Sequence, residues 1–451
     1  MGGKKVKQLE NTLNIKVSTA SLLKYALLTI LSNIFMNIYS IVDELFVSNL
    51  LGTDALSAVS IAAPFLAIAL AIGTMIATGG CALVSNQMGK GKDEEAQKNF
   101  TFFVLFSVIV STVFCIIGIV FRKPILHAMG ADEMLYSLCE AYAVPIFLLI
   151  PFGMLSIIFE IFLVAAGKPS LGFGLSLAGG ITNIILDYTL IKVIPCGVAG
   201  AAYATAAGYI LQSVIGLIFF FANRKGSLYF VRPWFNVKAL LKACSNGMSE
   251  MVGMLAVTIT MIAMNIILMN LAGSDGVAAA AIILSMQTIL SATYAGYIQG
   301  IAPVISFHYG SENYTELNKL YRIALKTIAV MSVITFLITF LLARPIALLF
   351  AEGVKSVLDM AVRGIFIFAG AFLLMGFNLF ASGFFTALND GKTSAILSLF
   401  RTLIFLIIPL LVFPAVFGVD GVWISMPTAE VLSILLSVFY FKKMKSKYHY
   451  A

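Results

Sequence analysis

The sequence predicts an all-α polytopic membrane protein, with twelve transmembrane helices in two pseudo-symmetric six-helix bundles. Composition is the first observation behind this. Of 451 residues, 60% are hydrophobic and 11% charged, with a mean hydropathy of +1.00, whereas a soluble domain carries about 25% charged residues. The second observation is length. Apolar runs are nearly continuous, each bilayer crossing needs about 20 apolar residues, and without water such runs must satisfy their backbone as helices. The third is an internal repeat. Leu51 to Val59 reads LGTDALSAV and Leu271 to Ala279 reads LAGSDGVAA, so Gly52 matches Gly273 and Asp54 matches Asp275 at an offset of 221. The same offset joins GKGKDEEAQKN at Gly89 to GSENYTELNKL at Gly310, and GVAG at Gly197 to GVDG at Gly418. Gly167-Lys168-Pro169-Ser170 matches Gly391-Lys392-Thr393-Ser394 at 224, which predicts a small indel between them. Homologous halves in an apolar chain mark a transporter built from repeats.

The predicted spans lie near 20–48, 55–86, 99–121, 137–165, 169–193 and 198–222 in the first half. In the second they lie near 239–271, 277–307, 321–349, 361–388, 394–417 and 421–441. The first follows a charged tail and exceeds a signal-peptide core of about 7–15 residues, so it reads as a retained helix. Thr53-Asp54 and Ser274-Asp275 read as N-caps for the second span of each half. Residues 1–19 form a tail, 20–222 the first lobe, 223–238 a linker rich in Arg, Gly, Pro and aromatics, 239–441 the second lobe, and 442–451 a second tail. Six spans per half is even, so the repeats run the same way through the bilayer with the substrate path between them. Prolines 64, 145, 151, 303, 409 and 427 predict kinks, tolerated where neighbours re-satisfy the backbone.

Orientation follows from the basic residues. With the N-terminus inside, 22 of 29 Lys and Arg face the cytoplasm, among them Lys4, Lys5, Lys7 and Lys16, and 6 face outward; Arg401 falls within a span. Both termini of this multi-pass protein are therefore expected in the cytoplasm. The net charge of +8 then reports topology and not a nucleic-acid surface. Five scattered cysteines make no CxxC pair and read as small apolar fillers.

The pattern VDxxFVxxLLGxxALSAVS over Val42 to Ser60 resembles the multidrug and toxic compound extrusion (MATE) family. So do AAGKPSLGFGLSLAGGITNIILDYTLI from Ala165 and the GVAGAAYATAAGY that follows it. The likeness covers nearly the whole chain. It implies a V-shaped carrier of two six-helix lobes that couples cation entry to drug extrusion. It also implies an acidic and polar cluster in the first lobe: Asp43 with Tyr39 in span 1, Asn183 and Asp187 in span 5, and Thr205 in span 6, with Tyr142 and Glu160 at often-polar span 4 positions. A proline frequent in span 1 of the family would fall at Leu28, and span 10 lacks the acid that another subclass carries.

Acids within spans are functional candidates because each costs roughly 2.5–3.5 kcal/mol to insert. Five occur (Asp43, Glu160, Asp187, Glu250 and Glu430), opposed only by Arg401. Asn183 and Asp187 are four apart and share a helix face. With Thr205 and a second carboxylate they make an all-oxygen set suited to a hard cation such as Na⁺. Two carboxylates buried together also resist double ionisation, so the site can hold a proton instead; both readings stay open. Tyr39 can stack on a drug or pack in the core, and Glu160 can attract cations or pair with Tyr142. Glu250 reads as a helix cap, and Arg401 with Glu430 as a structural ion pair. Gln287, Gln299, Tyr294, Tyr297, Asn265, Met261 and Met286 offer the second lobe a neutral, soft lining for varied guests.

The expected function is cation-coupled multidrug efflux, an antiport of cationic or amphipathic drugs against H⁺ or Na⁺. No cofactor and no oligomer is expected. The alternative is a lipid-linked oligosaccharide flippase, whose cavity would be basic. A major-facilitator carrier is opposed by the loop GKGKDEEAQKN, which lacks an Asp-Arg-Gly-Arg signature. An enzyme is opposed by the absence of an HExxH, a Walker A loop or a histidine base within a span. At offset 221, Asp187, Asn183 and Asp43 map onto Ile408, Ile404 and Met264, so the cation site is expected in the first half alone.

Overall fold

The computed structural model describes residues 13–14, 17–350 and 354–451; the tail lysines 4, 5, 7 and 16 lie outside them. Helices account for all regular structure in this part. The first half contains α1 (Thr19–Leu51), α2 (Thr53–Gly89), α3 (Asp93–Val120), α4 (Arg122–Ala128), α5 (Tyr136–Leu148), α6 (Ile150–Ala165), α7 (Pro169–Asp187) and α8 (Val198–Ala222). The second contains α9 (Val237–Gly310), α10 (Tyr314–Leu341), α11 (Ala343–Phe350), α12 (Lys355–Ala387), α13 (Gly391–Leu399), α14 (Phe405–Phe417) and α15 (Val419–Tyr448). Two π-helical segments, Tyr188–Val193 and Phe400–Ile404, extend α7 and join α13 to α14.

Among the described residues, ten helices are long and apolar enough to cross a membrane, or eleven with α5 and α6 counted as one bent span. That bend is 51°, and Pro151 in the first turn of α6 supplies no N–H to continue the preceding ladder. Helix α9 has 74 residues, about 110 Å at 1.5 Å per residue, far more than a bilayer of about 30 Å. It breaks at Gly273 (φ 63°, ψ −150°) into two arms. The first helix, α1, has no interior proline and runs unbroken for 33 residues.

The repeat is written in the backbone. Left-handed residues recur in pairs 221 apart: Gly52 and Gly273, Gly91 and Glu312, Gly197 and Gly418. The match of Gly167-Lys168-Pro169-Ser170 at 224 needs correction. Gly167 (φ 70°) is equivalent to Asn389 (φ 60°) at 222, each following a helix C-cap, whereas Gly391 already opens α13. The capping assignment of Thr53-Asp54 and Ser274-Asp275 also changes. Gly52 is the cap residue of α2 and no side chain caps it; its φ of 89° is one that a residue with a Cβ takes only at a cost. Asp54 instead sits in the first turn, where its charge complements the helix dipole. Asp275 accepts a bond from Ser356 Oγ at 2.5 Å. Short α4 and α11 are elements the apolar-run criterion misses. The linker is not loose: Leu228 is fully buried, and Phe230 stacks on Phe100 with ring centroids 5.3 Å apart.

Three buried clusters organise the packing. One joins both halves, running from Leu22, Met75 and Phe103 to Ala243, Phe307 and Phe384. The other two stay within the second half (Met264, Trp423) and the first half (Ala58, Phe147). The halves are therefore fused at one end and separate at the other. The fused end is a seal of backbone on backbone. A Cβ at Gly89 would lie 2.1 Å from Phe307 O, and one at Gly310 would lie 2.1 Å from Asn86 O. Deeper in, Gly79 meets Ala243 O and Gly247 meets Met75 O, each at 1.9 Å by the same construction. Asn86 Nδ2 donates across the seal to Ser306 O at 3.4 Å. Valine at both Gly89 and Gly310 should force α2 and α9 apart. In a chain keeping only Cys81, an impermeant maleimide added on the side of the α2–α3 turn should then label Cys81 faster; an unchanged rate would show that the glycines do not form the seal.

Candidate functional site

Asp43, Asn183, Asp187 and Thr205, drawn from α1, α7 and α8, meet in the first half. Close packing of small residues brings them there. A Cβ at Gly180 would strike Phe35 Cε1 at 2.5 Å and Tyr39 Cδ1 at 2.8 Å, and one at Gly208 would lie 2.9 Å from Gly179 O. Only glycine at these points lets α1 and α8 approach α7 so closely. Asp187 is 0% exposed and Asn183 2%, and the α-helix ends at Asp187 where the π segment begins. Such segments gather at functional sites because they re-aim side chains.

Asn183 Nδ2 donates to Thr205 Oγ1 at 3.3 Å. That leaves Asn183 Oδ1, Asp43 Oδ1 and both oxygens of Asp187 buried with no protein donor. The carboxyls of Asp43 and Asp187 face each other within hydrogen-bonding reach. Two carboxylates so placed repel unless a proton or another cation lies between them. The orphaned oxygens thus fit a proton or a hard monovalent cation. Among the described residues no cluster of three His, Cys, Asp or Glu is arranged for a metal ion; this set has two carboxylates plus an amide and a hydroxyl. Tyr142 (7% exposed) and Tyr209 close the site, each near the Asp43 charge. Tyr209 was not singled out from the sequence. Its signal was there, one helical turn after Thr205.

Tyr39 lies between this site and a cavity of about 340 Å³. The cavity is shared by the halves: Asn33, Thr74, Thr78 and Glu160 line it from one side, Glu250, Gln299 and Thr386 from the other. Glu160 Oε1 accepts from Ser32 Oγ at 2.6 Å and Ser176 Oγ at 3.0 Å, so hydroxyls hold it, not Tyr142. Gln299 Oε1 accepts from Asn33 Nδ2 at 2.8 Å. Glu250 is a wall residue and not a helix cap, since α9 begins at Val237. Gln287 does not line this cavity. Tyr294 is turned away from it: fully buried, its hydroxyl bonds Thr335 Oγ1 and donates to Phe372 O at 3.1 Å, so it packs the second lobe. Arg401 and Glu430 pair at 2.8 Å, with side-chain exposures of 14% and 1%.

The family model described as MatE matches residues 29–189 and again 251–411. The chain belongs to the MatE family. The two matches start 222 residues apart, so each half of this MATE chain is a copy of one unit. The multidrug export protein MepA of Staphylococcus saprophyticus is 25% identical over 408 residues, covering 89% of this chain and 88% of its own. MepA of Staphylococcus aureus strain RF122 is 24% identical over 423 residues, covering 93% and 92%. In fold, the chain is similar to a crystallised MATE in complex with MaL6, with a TM-score of 0.93 at 19% identity over 98% of this chain and 100% of that one. It is also similar to an outward-facing multidrug resistance MATE transporter, with a TM-score of 0.91 at 21% identity over 99% and 100%. It is a multi-pass membrane protein. Breaking the buried pair by Arg401→Ala should cost about 3–5 kcal/mol, while replacing both partners by Met should be nearly neutral. Thermal unfolding in detergent checks this: equal losses in the two variants would show that the pair is not mutually compensating.

Proposed function

We propose that this protein exports cationic and amphipathic drugs by alternating access, in antiport against H⁺ or Na⁺. The donor-free oxygen cluster of Asp43, Asn183 and Asp187 carries the reading: a buried site of this kind is stable only with a cation in it. Asp43 and Asp187 exchange that cation, Asn183 and Thr205 complete its shell, and Tyr142 and Tyr209 keep water from it. Cation entry from the open end neutralises the carboxyls. Release on the other side leaves them repelling, which favours reopening. Tyr39 lies near both Asp43 and the cavity residue Glu160 and transmits occupancy of one region to the other.

Drugs occupy the cavity between the halves. Glu160 and Glu250 make it acidic, which attracts organic cations and disfavours a lipid pyrophosphate. The relatives described as multidrug export proteins support the same substrate class. The lysine and arginine distribution supports cytoplasmic termini, with the glycine seal on the cytoplasmic side and the open end outward. Taking the arms of α9 separately, and α5 with α6 as one, makes twelve crossings, six in each half. We take the protein to act as a monomer, because each copy contains both halves and a complete path.

In vesicles loaded with a cationic dye, an imposed Na⁺ or pH gradient, applied separately, should drive transport with one ion only. Asp43→Asn and Asp187→Asn should each abolish transport while expression stays intact. Transport unchanged in both variants would remove the assigned coupling site, and transport with neither gradient would remove antiport.

A further inference from the structure

Among the described residues, the second half bonds a basic side chain of its membrane interior to one glutamate and sets it near the helix turn of a second. Arg401 lies in the π segment Phe400–Ile404. Its Nε donates to Glu430 Oε1 at 3.0 Å and Oε2 at 3.3 Å, and its Nη2 to Oε1 at 2.8 Å. Asn378 Nδ2 donates to Glu430 Oε2 at 2.7 Å. These bonds anchor the guanidinium from behind. On the opposite side, Ser398 Oγ, one turn before Arg401, donates to Ser249 O at 2.7 Å. That bond sets the turn carrying Arg401 against the turn carrying Glu250. The Arg401 charge acts on the Glu250 carboxyl, to which no protein group donates a hydrogen bond among the described residues. Glu250 lines the cavity, whereas Arg401 and Glu430 do not.

We propose that Arg401 is a tethered counter-charge for Glu250 and sets the charge selectivity of the cavity. The assignment rests on the export reading given above. The cavity then holds two unlike carboxylates. Glu160 has only hydroxyl partners, and no basic side chain opposes it among the described residues. Glu250 is damped by a fixed positive charge behind it, which also gives a guest's own anionic group something to face. A cavity with two unopposed carboxylates would select cations alone; this one admits zwitterions beside them. Glu430 and Asn378 are positioning residues that hold the guanidinium at this distance.

The test compares two probes of one scaffold, cationic rhodamine 6G and zwitterionic rhodamine B, by fluorescence anisotropy with the purified full-length protein. The readout is the ratio of their affinities. Arg401→Met with Glu430→Met removes the counter-charge without stranding its partner. Because both charges of the pair go together, the effect is that of its dipole: the preference for the cation should rise about twofold, the difference between opposite unit charges near 10 Å and near 13 Å at an effective dielectric near 20. Adding Glu250→Gln should erase that gain. Glu430→Gln alone leaves the guanidinium with Glu250 as its nearest acid and should shift the ratio the other way. This single change also serves if the double variant does not fold. A ratio unmoved in Glu430→Gln, or in the double variant, overturns the proposal and leaves a purely structural pair. Failure of the wild type to bind either dye would instead overturn the export reading.

Discussion

Hydrocarbon offers no hydrogen bonds, so each backbone group in the membrane must be satisfied within its own helix or by a close neighbour. The rest of this molecule depends on that constraint. It forces long, regular helices, and it makes each departure from regularity informative. Two π segments interrupt the helices, at Tyr188–Val193 and Phe400–Ile404. One begins directly after Asp187; the other contains Arg401. The chain gives up regular backbone beside one of its buried acids and at its intramembrane arginine.

Duplication supplied the scaffold and the halves then diverged. The turn positions kept their conformations in pairs, even where Asn389 stands in for the glycine at 167 and Glu312 for the glycine at 91. The interior did not keep its chemistry. The first half places two facing acids, Asp43 and Asp187, with no basic partner among the described residues, while the second pairs Glu430 with its own cation in Arg401. Between them, one cavity is walled by a glutamate from each half. On the proposed exchange mechanism, such a division lets coupling ion and drug be read at different distances from the moving interface.

Much of this was legible in the sequence. Apolar run lengths gave the helices, and the spacing of Asn183 and Asp187 gave the shared face of the cluster. What escaped was of another kind. Glu250 resembled a cap because its role depends on which helix of the other half it faces, and Tyr209 carried no signal beyond its place one turn after Thr205. Tyr294 looked like a lining residue, yet its hydroxyl is satisfied by Thr335 and Phe372. The match of GKPS to GKTS was stronger as letters than as backbone, because a turn is conserved in dihedral angles that several residues can supply. Side-chain identity is local, whereas a cavity is assembled from distant segments.

The seal between α2 and α9 consists of glycines facing carbonyls. A closure made mainly of main chain offers few side chains to tune, so variation in what is carried falls to other parts of the molecule, such as the cavity wall. The leak-tightness of the barrier is thereby insulated from the evolution of what passes through it. New specificities can be tried at Thr74 or Thr78 without putting the membrane potential at risk.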